Sequence, residues 1–167
     1  MKKAYLLVQV IMIVYAGYSQ TAQDYVDRGL AKAQQEDFYG AINELTKAID
    51  LNPNSIEFYS NRAIIKLIIK DYAGVITDFT KIIELDPKSS NAYFNRGIAK
   101  GNLKDFRGAI ADYNKVIEIM PKNAEAYQNR GLAKIKIGMK DSGCLDLSKA
   151  GEFGEAKAYD LIKLLCQ

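Results

Sequence analysis

"AYFNRG" (residues 92–97) returns as "AYQNRG" at residues 126–131, 34 positions later. Working outward from that echo, Tyr25, Tyr59, Tyr93 and Tyr127 keep the same step of 34, and so do Pro53, Pro87 and Pro121. Gly29, Ala63, Gly97 and Gly131 follow it, as do Leu45, Phe79, Tyr113 and Leu147. A fixed period of this size marks one structural unit copied along the chain, not a catalytic motif used twice. It divides the sequence into four units, residues 22–55, 56–89, 90–123 and 124–157.

Within each unit the apolar spacing is helical. Phe106, Ala109, Ile110, Tyr113, Val116, Ile117 and Met120 step by three and one, which places them on one face of a 3.6-residue helix. Tyr72, Val75, Ile76, Phe79, Ile82 and Ile83 repeat that pattern one unit earlier, and Phe38, Ala41, Ile42, Leu45, Ala48 and Ile49 one unit before that. A first helix precedes each of these, and "KDF" with Gly108 interrupts the two. "LNPNS", "LDPKS" and "MPKN" close the units, because proline cannot continue the preceding hydrogen-bond ladder.

Paired helices with tyrosine, glycine, alanine, aromatic and proline at these offsets resemble the tetratricopeptide repeat. The resemblance covers residues 22–157. It implies an all-α fold, a right-handed superhelical solenoid of four helix-turn-helix repeats whose first helices line a concave face, followed by a capping helix over residues 158–167. One hairpin cannot bury its apolar stripe alone, and a stacked neighbour supplies the missing core. Alanine stands for glycine at Ala63, valine for alanine at Val75, and Gly143 and Lys140 replace alanine and the aromatic in the last unit. In the closing segment Ala158, Leu161, Ile162 and Leu165 share one helical face, so that segment is expected to cover the last edge and turn a polar face outward.

Charges follow the period too. Arg28, Arg62, Arg96 and Arg130 form one series and Glu44, Asp78, Asp112 and Asp146 another, which predicts ion pairs between neighbouring helices. Lys47, Lys81, Lys115 and Lys149 each lie three residues after the acid, the spacing of an i,i+3 pair along one helix, worth only ~0.2–0.5 kcal/mol.

Composition narrows the chemistry. The chain of 167 residues has no histidine and no tryptophan, which removes histidine metal sites and histidine-based nucleophilic triads by inventory. The acids lie in ladders opposite lysine and arginine, leaving no isolated carboxylate pair, so no catalytic residue, no metal site and no cofactor is expected. Residues 1–19 place Lys2 and Lys3 before an uncharged apolar run from Ala4 to Tyr18, the layout of a signal peptide; a retained membrane anchor is the alternative. The run is shorter than the ~20 residues a spanning helix needs. Without that leader the balance is 21 basic against 20 acidic residues, a net of +1. A near-neutral chain lacks the basic footprint of a nucleic-acid binder and of a protein held on anionic lipid. The expected location is therefore exported, periplasmic or secreted. There Cys144 and Cys166, the only two cysteines, form a disulfide or remain two small buried apolar residues.

The groove positions that the resemblance carries over are Val26, Asp27 and Leu30 in the first unit and Asn61, Ile64, Leu67 and Ile68 in the second. Phe94, Asn95, Ile98 and Asn102 follow in the third, and Gln128, Asn129, Leu132, Ile135 and Lys136 in the fourth. Together they describe an apolar floor with an amide track. Asn61, Asn95 and Asn129 can each donate to and accept from an extended backbone, or can instead bond neighbouring helices and bind nothing. One subfamily grips a chain-terminal carboxylate with lysines and asparagines; here the matching positions are Val26, Leu30, Asn91 and Asn95, and only Asn61 agrees. The expected function is a non-catalytic scaffold that holds a peptide segment or partner helix in its concave groove. A self-associating or permanently docked envelope component is the alternative, with a monomer as the favoured state.

Overall fold

A computed structural model describes residues 20–166; the leader expected over residues 1–19 lies outside the described residues. The described part holds nine helices and no strand. They are α1 (Ala22–Gln34), α2 (Phe38–Leu51), α3 (Ile56–Ile68), α4 (Tyr72–Leu85), α5 (Ser90–Asn102), α6 (Phe106–Ile119), α7 (Ala124–Lys136), α8 (Lys140–Glu152) and α9 (Lys157–Leu165). The chain forms two compact bodies, one up to Phe58 and one from Tyr59 onward.

In the first body α1 and α2 make a single hairpin. Its core is Val26 against Ala41, Leu45, Ala48 and Ile49, all buried. Each large aliphatic so buried contributes roughly 1.5–3 kcal/mol. Gly29 permits the crossing: a Cβ there would stand 3.0 Å from Leu45 Cγ and 3.3 Å from the carbonyl of Ala41. Thr21 and Asp24 close the start of α1 as a reciprocal capping box.

In the second body the hairpins α3–α4, α5–α6 and α7–α8 follow one another. Helix α4 packs on α5 and α6 on α7, and α9 packs on α8. Val75, Phe79, Ile82, Tyr113, Val116 and Leu147 fill the spaces between them. This is how the repeat works physically, since the stripe that one hairpin cannot cover is covered by the next.

The turn inside each hairpin is built the same way. Glu36, Lys70, Lys104 and Gly138 have positive φ, at 62°, 60°, 64° and 85°. The next residue's N–H then bonds back five residues, from Asp37 to Lys32 O (2.9 Å), Asp71 to Lys66 O (2.8 Å), Asp105 to Lys100 O (2.9 Å) and Met139 to Lys134 O (2.9 Å). That reversal satisfies carbonyls the first helix would otherwise leave open. In three hairpins the same aspartate also starts the second helix, accepting from the N–H of Gly40, Gly74 and Gly108 at 2.9 Å each. Met139 has no such side chain, and α8 begins without a side-chain cap.

At the C-terminal end Gly154, with φ 105°, turns the chain into α9. Ala158 is fully buried with Tyr127 and Ala150, and Ile117 and Phe153 pack around them. The Tyr127 and Phe153 rings lie 5.5 Å apart. Cys144 and Cys166 are joined as a disulfide with their Cα atoms 5.9 Å apart. The expectation of a polar outer face on this helix needs correction, because Tyr159 is 52% exposed and Leu164 76%. A nine-residue helix carrying five apolar or aromatic residues beyond Ala158 cannot turn all of them inward.

Candidate functional site

The site rests on a frame of buried charge. Arg96 grips Asp112 with two nitrogens, Nε at 3.0 Å and Nη2 at 2.7 Å, and Arg130 grips Asp146 at 2.8 and 2.6 Å. Arg62 does the same to Asp78, and Arg28 reaches Glu44 with Nε at 2.9 Å. The predicted arginine–acid pairs are therefore formed, each across one hairpin. Arg96 and Arg130 also donate backward, to Thr80 Oγ1 (3.1 Å) and Asn114 Oδ1 (2.7 Å), so each fixes three helices at once. The bidentate geometry suits guanidinium and would be lost with lysine.

The lysine ladder is a correction. Lys47 does meet Glu44 at 2.6 Å, but Lys81 turns to Glu84 and Lys115 to Glu118. Lys149 lies 5.6 Å from the Tyr127 ring centroid. The second cation on each buried aspartate comes instead from the first helix: Lys66 on Asp78 (2.8 Å), Lys100 on Asp112 (2.8 Å) and Lys134 on Asp146 (2.7 Å). The signal was present, since Lys32, Lys66, Lys100 and Lys134 are also 34 apart. Lys32 reaches the Asp37 cap at 2.9 Å, leaving Glu44 to Lys47 and Arg28, which together hold its carboxyl below the usual glutamate range.

Against that frame the predicted groove residues sort themselves. In the first body Val26 is 1% exposed, so it is core and not lining. Asp27 is exposed and accepts from Gln23 Nε2 at 2.9 Å, and Leu30 is partly exposed. In the second body Ile64 and Ile68 stand open on α3, with Asn61 and Leu67 half-buried. Ile135 is half-buried and faces the second helix of the last hairpin, since a Cβ on Gly143 would come within 2.6 Å of its Cγ1. Both corrections follow from helical phase: a residue three or four positions from the crossing glycine faces the partner helix.

Five of the predicted residues come together around one concavity of about 220 Å³: Ile98 and Asn102 from α5, and Asn129, Leu132 and Lys136 from α7. Phe106 and Tyr113 of α6 form its back, and sequence reasoning assigned both only to the core. Phe94 lies beside it with its ring 5.9 Å from that of Tyr113. The amides are partly engaged: Asn95, Asn102 and Asn129 each donate one N–H to the carbonyl four residues back, at 2.8, 2.9 and 2.9 Å. Each keeps its carbonyl oxygen and a second N–H. Gln128 Oε1 is buried without a hydrogen-bond partner among the described residues. Burial and the neighbouring Asp112 push the Tyr113 hydroxyl pKa up, so it remains a protonated donor. No group of ligating side chains among the described residues is arranged to hold a metal.

This geometry has counterparts. Tetratricopeptide-repeat family models match residues 25–55 and 79–111, and a TPR-repeat model matches residues 102–138. The chain is a tetratricopeptide-repeat protein. Among solved structures, a crystal structure of MamA is 26% identical with a TM-score of 0.75, covering 89% of this chain and 86% of that one. MamA from Desulfovibrio magneticus RS-1 is 18% identical with a TM-score of 0.72, covering 81% and 76%, which shows the fold alone. The first tetratricopeptide domain of Spaghetti (RPAP3), bound to the HSP90 peptide SRMEEVD, is 27% identical with a TM-score of 0.63, covering 72% and 96%. No curated protein matches the sequence. Proteins of this repeat class are generally interaction scaffolds, not catalysts.

Proposed function

We propose that this protein is an exported, non-catalytic scaffold that holds a peptide segment of a partner protein on the faces of its first helices. The observation that carries the reading is the α5–α6–α7 concavity. It combines an apolar floor with amides that retain hydrogen-bonding capacity, the mixture found in sites that take a peptide. The peptide-bound Spaghetti domain supports peptide binding as the use of such a surface. Its HSP90 tail is not the expected ligand here, because Val26 and Leu30 stand where a carboxylate-gripping groove needs polar groups. The disulfide Cys144–Cys166 supports an oxidising compartment, and no described helix is long and apolar enough to cross a membrane.

Selection from a displayed library of short random peptides tests the reading. Enrichment of a peptide family that Phe94→Ala, or Asn95→Ala combined with Asn129→Ala, no longer binds is the expected result. Enrichment that survives these substitutions refutes the groove. A second reading, self-association as a structural component, is favoured by exposed Tyr159 and Leu164 on α9. A monomer in light-scattering mass measurement across a concentration series argues against it, and a stable oligomer lost in Leu164→Ser argues for it.

A further inference from the structure

We infer that α9 is a redox-latched cap: a dithiol that reduces Cys144–Cys166 releases the helix from α8 and bares the apolar edge beneath it, and reoxidation closes it again. The inference is independent of the groove reading. It starts from how little else holds this helix. At two earlier junctions the first helix is stitched to the preceding hairpin by arginine, Arg96 Nη1 to Thr80 Oγ1 and Arg130 Nη1 to Asn114 Oδ1. Thr80, Asn114 and Ser148 stand 34 apart, so Ser148 is the next acceptor in that series. Helix α9, with the sequence KAYDLIKLL, brings no arginine to it. Its charged residues Lys157, Asp160 and Lys163 are exposed and enter no ion pair with the described residues. Ala158 is its one buried residue, and its start has no side-chain cap. Nine residues also fall short of the ~12–15 at which a helix is even marginal by itself.

The disulfide closes the open end of this last pair of helices. Gly154 turns the chain from α8 into α9 at one end, and the bond joins α8 to the residue after α9 at the other. Between them Ala158 lies against Tyr127 and Ala150, with Phe153 packed beside them, and the Tyr159 ring covers Gly151. These contacts are apolar, so release of α9 puts an apolar surface into water. Cys144 and Cys166 are both half-buried, which leaves their sulfurs within reach of a thiolate. One thiolate of the dithiol attacks one sulfur and expels the other as thiolate; the second thiol then displaces the protein sulfur from the mixed disulfide. The dithiol leaves as a disulfide after giving up two electrons and two protons, and both cysteines end as thiols. The hairpin underneath does not rely on the latch, because Arg130 and Lys134 hold Asp146 across it and Leu147 is buried inside it. Opening is therefore confined to α9, as expected of a local unit with its own low stability.

The test uses the whole disulfide-bonded chain in native buffer, with dithiothreitol as the dithiol. Alkylation and mass spectrometry follow the bond, hydrogen exchange follows the helices, and anilinonaphthalene sulfonate fluorescence follows exposed apolar surface. Reduction is expected to cut the protection of α9 about a hundredfold, the weight of a closed loop of 22 residues. Helices α5 to α8 are expected to keep theirs, dye fluorescence to rise severalfold, and reoxidation to reverse both changes. Cys144→Ser combined with Cys166→Ser is expected to match the reduced chain and ignore dithiothreitol. Ala158→Asp, which leaves the bond intact and puts a charge at the one buried position, is expected to raise dye fluorescence without any reductant. Protection of α9 that survives reduction, loss of protection across α5 to α8 together with α9, or a bond that dithiothreitol leaves intact in the folded chain would each overturn the inference. So would dye fluorescence unchanged in Ala158→Asp.

Discussion

The hairpins α5–α6 and α7–α8 share one plan and are held in different ways. In the first, Asp105 starts the second helix by accepting from Gly108, and Gly97 leaves room for the Tyr113 ring. In the second, Met139 offers no cap, and two glycines bring the backbones together: a Cβ on Gly131 would lie 2.8 Å from the Gly143 carbonyl. That hairpin then gains what the other lacks, a disulfide from α8 to the end of α9. A terminal repeat has a neighbour on one side only. Local hydrogen bonding has been replaced there by closer approach and a covalent tie.

The largest way to break this contrast is to remove the tie. Replacing Cys144 and Cys166 with alanine opens a loop of 22 residues, expected to lower stability by ~3 kcal/mol. Hydrogen exchange should show α9 losing protection before α5; equal protection in both would show that α9 is held by packing alone. Next comes the glycine pair. Gly131→Ala drives a methyl into backbone that cannot move aside and is expected to cost about 2–3 kcal/mol. Gly97→Ala meets a ring edge and should cost less, as Ala63 already occupies that offset above Phe79. Urea midpoints of the two variants would rank them, and the reverse order would refute the backbone-contact account.

Smaller effects sharpen the comparison at the turns. Asp105→Ala removes a cap and is expected to cost ~1 kcal/mol, while Met139→Asp should restore some of that to the last hairpin; thermal melting measures both. The smallest effect is at the positive-φ site. Lys104→Gly relieves a left-handed conformation that disfavours a side chain and is expected to stabilise by up to ~1 kcal/mol. Gly138→Lys should destabilise by a similar amount, and opposite signs for the two are the diagnostic.

Much of the fold could be read from the period. Tyrosines, prolines and crossing residues at a common step located the helices, and the arginine and acid series located pairs that formed. The turn conformation was not legible at Glu36, Lys70 or Lys104, because those residue types do not advertise positive φ; only Gly138 does. The lysine partners were misassigned because neighbours along one helix seemed nearer than a cation on the facing helix. Burial decides otherwise: Asp78 is wholly enclosed, and only side chains that cross the hairpin reach it.

The site divided along the same line. Of the offsets carried from the repeat, Ile98, Asn102, Asn129, Leu132 and Lys136 share one concavity, because helical phase is set by spacing. The same offsets misplaced Val26 and Ile135, and they missed Phe106 and Tyr113, whose part depends on a second helix closing the pocket from behind. Sequence by itself determined the repeat, its helices and its charge series, since a period of 34 repeats every local preference in register. Tertiary structure alone decided that Gln128 Oε1 stays unmatched, because an unused hydrogen bond becomes visible only when every neighbour's commitments are known.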